Sequence, residues 1–339
     1  MASTAGVRLL NGHSMPFVGL GTWQSSRGDV GKAVRVALDA GYRHIDTAQN
    51  YYNEDEIGEA LEEKIKEGGV TREEVFVTTK LAMAGMAPEN VRKETVLSLK
   101  RLRTTYIDLY LIHFPIALSD EGMNLEPPVR FPKYSNGALK TTYIDILDTW
   151  REMEKLVDEG LVRAIGLSNC NKQQVLRIYE KGRIKPANLQ VECHAWFPQY
   201  EMVEFCQQRG ISFAAYGPIG SPGRPAVEGP VTAPLMEEPV LVELAAKHKR
   251  TVAQVLLRNL IQRGIIVLPK SVTPERIKSN LQVMDFELSK EDMEIVKGVN
   301  KELRLFQFNY YGKQNFSHPF FPWPELAKSY QPGEGMPQL

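Results

Sequence analysis

The feature that most constrains the fold of this chain is a series of seven apolar runs, each ending on a polar or ionisable residue. Segments with helical periodicity separate most of the runs. In a (β/α)8 barrel the parallel strands are buried and apolar, and chemical groups gather at their C-terminal ends. The pattern therefore predicts an α/β fold, a (β/α)8 TIM barrel. It also gives candidate site residues at the run ends, namely Asp46, Lys80, His113, Asn169, His194, Tyr216 and Lys270.

The limits of the apolar runs give the predicted strands. They cover residues 43–46, 75–80, 106–113, 162–169, 189–194, 212–216 and 265–270, with a weaker eighth strand at 283–286. Ahead of them, Asn11-Gly12 is a strong two-residue hairpin signal, and we expect the hairpin to plug one end of the barrel. Gly19-Leu20-Gly21 is interpreted as a close-packed turn, because it lacks a third glycine at dinucleotide-binding spacing.

The helical segments carry their own start and stop signals. One helix is predicted over residues 144–159 and ends before Gly160. Another opens on a capping box, Thr251 to Gln254. A chain of 339 residues is long enough for one large α/β domain or two small ones. Because no linker divides it, we predict a single domain over residues 1–339.

Three segments exceed what a minimal barrel needs. They are residues 115–143 after the third strand, 217–238 after the sixth, and the tail 303–339, which holds eight aromatic residues between Phe306 and Trp323. Long loops in compact domains are usually functional or disordered. Their position at or near the C-terminal strand ends predicts the walls and lid of a pocket.

The composition excludes several classes of partner. Forty-one basic residues balance 41 acidic ones, and no basic stripe favours nucleic acid or an anionic membrane surface. No apolar stretch approaches the ~20 residues that span a bilayer, and residues 1–12 lack the pattern of a signal peptide. Three scattered cysteines suit a reducing compartment and show no metal-ligand spacing. We therefore expect a cytosolic protein without a metal site.

Four residues form the first candidate constellation: Asp46, Tyr51, Lys80 and His113. A free tyrosine has a pKa near ~10, and a neighbouring lysine ammonium lowers it by stabilising the phenolate. An aspartate keeps the lysine charged, the tyrosine then acts as a general acid, and the histidine orients the same oxygen. Taken singly, each residue is better explained as a cap, a solvated strand end or a packing group. Together, on three adjacent strand ends, they favour a functional site.

A second constellation surrounds Thr273-Pro274, which has the pattern of an N-cap followed by the first helical position. A helix N-terminus binds phosphate through free N–H groups and its positive dipole end. Lys270 and Arg276 add two charges there, at a place where barrel enzymes often bind phosphate. A solvated helix start with ordinary surface charges is the alternative, and the coincidence of strand, cap and cations favours phosphate.

Further polar and aromatic residues lie at other strand ends. Ser168, Asn169 and Gln190 together could clamp a carboxamide, and Tyr216 could stack on a flat ring. Individually, each is better explained as an ordinary barrel-lining residue. Trp23 is suited either to the core or to a pocket wall.

Several motifs make this chain similar to the aldo-keto reductase family, which includes aldose and aldehyde reductases, over nearly its whole length. They are Gly19-Leu-Gly-Thr-Trp23, Gly41-Tyr-Arg-His-Ile-Asp46 with Tyr51, Tyr52-Asn-Glu-Asp-Glu-Ile-Gly58, Leu109-Tyr-Leu-Ile-His113, Gly166-Leu-Ser-Asn169 and Leu268-Pro-Lys-Ser271 through Asn280. The resemblance implies NADPH-dependent reduction of aldehydes and ketones to alcohols, in a barrel that binds NADPH or NADP⁺ without a Rossmann domain. It also implies a monomer that acts on small carbonyl compounds.

The resemblance also assigns roles to residues. Tyr51 would donate the proton within a tetrad completed by Asp46, Lys80 and His113. The substrate pocket would contain Trp23, Tyr51, His113 and Phe114. The implied cofactor-binding residues are Gly21, Thr22, Trp23, Asp46, Ser168, Asn169, Gln190, Tyr216, Ile219, Ser221, Lys270, Ser271, Arg276 and Asn280.

The chain departs from well-studied aldose reductases in ways that limit this transfer. Gln24 and Gly223 stand where those enzymes carry an opposite-charge pair that ties a loop across the cofactor. Phe114, Ala82 and Ala226 replace pocket tryptophans, and Ser279 replaces an acidic residue near the adenine. Substrate preference therefore cannot be transferred from those enzymes.

Two alternatives remain at this stage. The barrel could be retained mainly as a cofactor-binding, regulatory or structural protein, as in channel-associated subunits and lens proteins that resemble this family. It could also be a phosphate-binding isomerase, which would leave Tyr51, Asn169, Gln190 and Tyr216 without a joint purpose.

Overall fold

The computed structural model of this protein describes residues 5–135, 137–224, 234–308, 315–316, 318–323 and 325–326. Within those ranges, no helix is both long enough and apolar enough to cross a membrane. In chain order the strands are β1 (Gly6–Arg8), β2 (Ser14–Pro16), β3 (Leu20–Gly21), β4 (His44–Asp46), β5 (Phe76–Leu81), β6 (Ile107–Ile112), β7 (Ala117–Leu118), β8 (Thr141–Thr142), β9 (Val162–Ser168), β10 (Asn188–Glu192), β11 (Ser212–Tyr216) and β12 (Ile266–Leu268).

Eight of these strands form a parallel sheet that closes into a barrel. Their order is β12-β11-β10-β9-β6-β5-β4-β3, and parallel bridges from Val18 to Val267 and from Gly21 to Lys270 join the two ends. The strands are almost entirely buried, as expected for a parallel sheet covered on its outside by helices. The predicted (β/α)8 fold is confirmed.

The eighth strand is not where the sequence analysis put it. Residues 283–286 follow the end of a helix and form no strand, so that prediction was wrong. The missing strand is β3, whose Leu20 and Gly21 pair with Ile45 and Asp46. A Cβ atom at Gly21 would lie 2.8 Å from the Leu268 carbonyl oxygen, so glycine is needed where the first and last strands meet. The glycine-rich segment interpreted as a turn is therefore the seam of the barrel.

Ten α-helices surround the described part of the barrel. They are α1 (Asp29–Ala40), α2 (Glu54–Lys66), α3 (Pro88–Arg101), α4 (Ile146–Asp158), α5 (Lys172–Lys181), α6 (Tyr200–Gln207), α7 (Pro239–His248), α8 (Val252–Gln262), α9 (Pro274–Leu281) and α10 (Lys290–Lys297). The predicted helix over 144–159 is α4, which begins two residues later because Asp145 caps its N-terminus. The capping box of Thr251 and Gln254 is present at the start of α8.

An N-terminal hairpin closes one end of the barrel, as predicted. Its strands β1 and β2 pair so that Arg8 faces Ser14. Leu9 and Met15 are buried in an apolar cluster with inward-facing barrel residues such as Leu109 and Ile266. The turn is not the predicted two-residue type: Leu9 N–H bonds to His13 O, leaving three residues in the loop, and Gly12 has a φ of 86°. A left-handed residue after a type I turn is typical of such three-residue loops.

The contact between α2 and α3 depends on a glycine. A Cβ atom at Gly58 would lie 2.2 Å from the Arg101 carbonyl oxygen, so the helices would have to separate. We expect Gly58→Ala to lower the free energy of unfolding by about 1–3 kcal/mol, as overpacking typically does. The matched control is Gly31→Ala in α1, where the nearest atom is the flexible Arg35 Nη1 at 3.0 Å. It should be neutral or stabilising by up to about 1 kcal/mol through helix propensity. Urea denaturation of both variants checks this, and equal effects would contradict it.

Candidate active site

The C-terminal ends of the barrel strands surround a cleft. Its volume is about 1030 Å³ when the solvent-filled space at its mouth is included. Most residues singled out from the sequence lie on its wall. They are Gly21, Thr22, Trp23, Asp46, Tyr51, His113, Phe114, Ser168, Asn169, Gln190, Tyr216, Ile219, Ser221 and Lys270. Lys80 lies beneath this surface, where its side chain is 1% exposed.

The residues of the candidate tetrad converge as the strand pattern predicts. Asp46 ends β4, Lys80 is the fifth residue of β5, and His113 directly follows β6. Tyr51 ends a short 3-10 helix, Gln49–Tyr51, that leaves β4. Lys80 Nζ donates to Asp46 Oδ1 at 2.7 Å, to the Thr47 carbonyl oxygen at 2.9 Å and to the Tyr51 hydroxyl oxygen at 3.4 Å. The buried ammonium thus joins the aspartate to the tyrosine.

Burial decides the protonation states in this group. It raises the pKa of Tyr51 above its ordinary value, and Lys80 opposes that rise without cancelling it. Burial alone would lower the pKa of Lys80, but Asp46 and Tyr51 together leave it raised. The prediction that Lys80 lowers the pKa of Tyr51 below its ordinary value is wrong, because in this buried environment Lys80 only limits the increase. The result at neutral pH is a protonated tyrosine beside a charged lysine.

His113 is neutral at the edge of the cleft. Burial and, to a smaller extent, the Lys80 ammonium hold the pKa of its imidazole well below 6.5. The ring packs edge-on against Tyr51, with centroids 5.6 Å apart. Its backbone carbonyl accepts a hydrogen bond from Asn169 Nδ2 at 2.9 Å, which ties the end of β6 to the end of β9. A neutral imidazole can donate one hydrogen bond without adding a charge.

The polar residues on β9, β10 and β11 form a connected wall. Gln190 Nε2 donates to Asp46 Oδ2 at 2.7 Å, and Tyr216 donates its hydroxyl proton to Asn169 Oδ1 at 2.8 Å. Ser168 Oγ accepts from Asn169 Nδ2 at 3.3 Å. Each side chain is thereby fixed before a ligand binds, which is the preorganisation that precise orientation requires.

The predicted phosphate-binding residues lie partly on the cleft and partly beside it. Lys270 lines the cleft and is exposed, whereas Ser271, Arg276 and Asn280 are not among its lining residues. Thr273 is the N-cap of α9 and Pro274 its first residue, as predicted, and no side chain caps the helix start. Partial burial lowers the pKa of Lys270, while Asp29 opposes this effect. Lys270 therefore brings an exposed positive charge to the cleft, and the uncapped start of α9 follows it three residues later in the chain.

Comparison with known proteins identifies the family. Residues 17–301 match the sequence profile of the Aldo/keto reductase family. Aldo-keto reductase family 1 member A1 from Gallus gallus is 44% identical over 323 residues, covering 94% of this chain and 97% of the relative. The Danio rerio protein named member A1-A is also 44% identical, covering 95% and 99%. The chain belongs to the aldo/keto reductase family. It is an oxidoreductase that acts on carbonyl groups, in a family that uses a nicotinamide cofactor.

A solved structure supports the same assignment. The aldose reductase from Schistosoma japonicum superposes with a TM-score of 0.86 at 46% sequence identity, covering 95% of this chain and 99% of that one. The family's barrel is thus present over nearly the whole length. The part of the reductase that the structure describes contains no group of three or more His, Cys, Asp or Glu residues placed to hold a metal ion.

Several cleft residues of this reductase were not predicted as individual site residues. They are Asn50, Met83, Phe131, Gly217, Pro218, Leu268, Phe306 and Phe308. The aromatic content of the tail did signal Phe306 and Phe308 as wall residues. Asn50 carries a signal that was overlooked, because it is a polar side chain adjacent to Tyr51. Nothing in the sequence marks Met83 or Phe131, whose positions depend on how their loops fold.

His194, one of the seven candidate run ends, does not line the cleft of the reductase. Its strand stops at Glu192, and His194 Nε2 lies 2.9 Å from Glu192 Oε1 in the interior. The same carboxylate accepts the backbone N–H of Leu305 at 2.5 Å and that of Phe306 at 3.1 Å. His194 therefore belongs to a buried group that holds the start of the tail.

Aromatic packing carries this attachment to the cleft. The Phe306 ring packs edge-on against Trp23 at 5.7 Å and against Tyr216 at 5.3 Å. Further along, Phe308 contacts both Phe114 at 5.2 Å and Trp323 at 5.2 Å. The described part of the tail therefore forms an aromatic wall, as predicted from its composition.

The structure shows where most of the residues that differ from aldose reductases lie. Phe114 is buried and lines the cleft, whereas Ala82 is buried without reaching it. Gln24 is exposed, and a Cβ atom at Gly223 would meet nothing within 4 Å. Ala226 lies outside the described residues. Neither Gln24 nor Gly223 carries a charge, so these two residues form no ion pair with each other.

Proposed function

We propose that this reductase uses NADPH to reduce aldehydes and ketones to alcohols, with Tyr51 as the proton donor. The observation that carries the proposal is the arrangement of Lys80, whose ammonium contacts Asp46 and Tyr51 beneath a cleft edged by neutral His113. We further propose that residues 1–339 act as a single domain in which the tail 303–339 closes the pocket.

The donor set of the cleft fits a nicotinamide dinucleotide. Ser168, Asn169 and Gln190 present amide and hydroxyl groups suited to a carboxamide, and the Tyr216 ring offers a flat apolar face. Ser221, Lys270 and the uncapped start of α9 suit phosphate groups. The bound cofactor would supply the hydride, which is chemistry that no side chain provides.

Residues of the chain would donate the proton and orient the groups between which it moves. Tyr51 keeps its proton at neutral pH because burial raises its pKa, so it is in the correct state to act as an acid. Lys80 contacts the oxygen that becomes negative when the proton leaves, and Asp46 keeps the ammonium oriented. His113 donates a hydrogen bond to the substrate oxygen without competing for the proton. The apolar walls from Trp23 and Phe306 exclude water and favour apolar or aromatic carbonyl compounds.

Steady-state turnover of an aldehyde and ketone panel tests the proposal directly. We expect NADPH oxidation with aldehydes at rates that saturate with substrate. A protein that binds NADPH but turns over none of the panel would instead support a binding or structural role.

The missing charge pair predicts fast cofactor release. Gln24 follows Trp23, and Gly223 lies two residues after Ser221, so both flank the cleft wall. We expect the double variant Gln24→Lys with Gly223→Asp to release NADP⁺ more slowly than the wild type in stopped-flow experiments. An exposed ion pair contributes ~0–1 kcal/mol, so the effect should reach at most about 5-fold. Each single variant is the control, because one charge alone forms no pair. Release that is no slower in the double variant would contradict this placement of the two residues.

A further inference from the structure

Asn50 brings a polar side chain to the cleft directly before Tyr51. Its Nδ2 lies 3.0 Å from Met83 Sδ and 3.5 Å from His113 Nδ1. Its Oδ1 is buried and has no hydrogen-bond partner among the described residues. The proposed proton transfer does not involve this amide, so its position in the cleft has to be explained separately.

The neighbours of Asn50 determine which way its amide points. A thioether sulfur is only an acceptor, so the NH₂ group belongs on the side of Met83. The opposite orientation would place the amide oxygen against the sulfur at 3.0 Å, with no proton between them. The NH₂ group then also faces His113 Nδ1. Hydrogen bonds of this length in a ligand-free site often shorten when substrate binds.

This orientation has a consequence for the imidazole. A neutral histidine has one N–H donor and one acceptor nitrogen, and the hydrogen bond made by one nitrogen sets the state of the other. If Nδ1 accepts from Asn50, the proton is on Nε2. A histidine with the other tautomer would point a lone pair, and not a proton, from Nε2.

We propose that Asn50 is a positioning residue that fixes the tautomer of His113, so that Nε2 carries the proton offered to the carbonyl oxygen. The inference rests on the proposed function, since it assigns a role in orienting the same substrate oxygen. Asn50 acts through His113 and is not itself a proton donor in the reaction.

Charged and polar groups from neighbouring strands lie close to His113. The Lys80 ammonium on β5 faces it and disfavours a second proton on the ring. Asp46 on β4 is paired with that ammonium, and the Tyr51 ring packs edge-on against the imidazole. Because burial and the Lys80 ammonium keep the imidazole neutral, a neighbouring residue can still determine which of its two nitrogens carries the proton.

The test is nitrogen NMR of imidazole-labelled protein, assigned with His113→Phe. We expect wild-type His113 to show an acceptor Nδ1 and a protonated Nε2. Asn50→Leu should give a mixture of tautomers, with kcat lowered about 3- to 10-fold, the effect of one hydrogen bond. The dissociation constant of NADPH should not change. The nearly isosteric Asn50→Asp should protonate Nδ1 and raise the pKa of His113 by at least about 1, because a carboxylate replaces the amide.

Tyr52→Phe is the matched control, because Tyr52 is a neighbour whose side chain does not line the cleft. It should leave the His113 signals unchanged. A protonated Nδ1 in the wild type would overturn the proposal, as would an Asn50→Leu protein with wild-type ring signals and kcat. The NMR measurement needs no turnover, so it is separate from a failure of the proposed function, which Tyr51→Phe tests.

Discussion

Tyr51→Phe is expected to lower kcat for aldehyde reduction by about 100- to 10,000-fold, the range that general acid catalysis typically contributes. The variant keeps the ring, which packs against His113 at 5.6 Å, and removes only the hydroxyl that Lys80 contacts. The dissociation constant of NADPH should stay near the wild-type value, because the proposed cofactor contacts lie on other side chains. Steady-state kinetics and fluorescence titration measure the two quantities.

The neighbouring tyrosine provides a matched control for this experiment. The Tyr52 hydroxyl accepts a hydrogen bond from the Arg130 backbone N–H at 3.1 Å, and its side chain does not line the cleft. Tyr52→Phe should therefore retain most of the activity. If Tyr51→Phe reduces aldehydes at an unchanged rate, Tyr51 is not the proton donor.

The combined variant Lys270→Met with Arg276→Met is expected to remove the preference for NADPH over NADH. Both cations flank the uncapped start of α9, which suits the additional phosphate that distinguishes NADPH. A hydrogen bond to a charged group contributes ~1.5–3 kcal/mol, so losing one contact should weaken NADPH by about 10- to 100-fold. NADH lacks that phosphate and should be affected far less. Fluorescence titration with both cofactors checks this.

A third cation on the same helix serves as the control. Lys278 is exposed on α9 but was not assigned to the cofactor site, so Lys278→Met removes the same charge without the proposed contact. It should leave the ratio of the two dissociation constants unchanged. Equal weakening of NADPH and NADH in the Lys270 and Arg276 variant would exclude a role in binding the extra phosphate.

The sequence predicted the barrel because burial of a parallel strand leaves a strong signal. The run that ends at His113 contains four consecutive apolar residues, Leu109 to Ile112, and the run that ends at Lys270 contains another four, Ile265 to Leu268. The seam strand β3 escaped detection because it has only two residues, one of them glycine. Its pairing is set by contacts with β4 and β12, which local sequence does not encode. Val283, Met284 and Phe286 are apolar because they pack in or against the core, and not because they form a strand.

The candidate site was predictable to the extent that strands position it. The ends of parallel strands meet at one face, so Lys80 and His113 were expected to approach each other, and they do. Loops do not follow such a rule, and Met83 and Phe131 were missed for that reason. The pKa of Tyr51 was also misjudged, because desolvation depends on all surrounding atoms and cannot be obtained from one charged neighbour.

The attachment of the tail has a consequence for how this enzyme can diverge. The Glu192 carboxylate accepts hydrogen bonds from the backbone N–H groups of Leu305 and Phe306. These hydrogen bonds do not depend on which side chains occupy the two positions. At these two positions only proline, which lacks the N–H, would remove a hydrogen bond to Glu192. Substitutions that change the aromatic composition of the wall therefore leave this backbone attachment to the barrel in place. New substrate preferences can arise in the tail without rebuilding the catalytic floor.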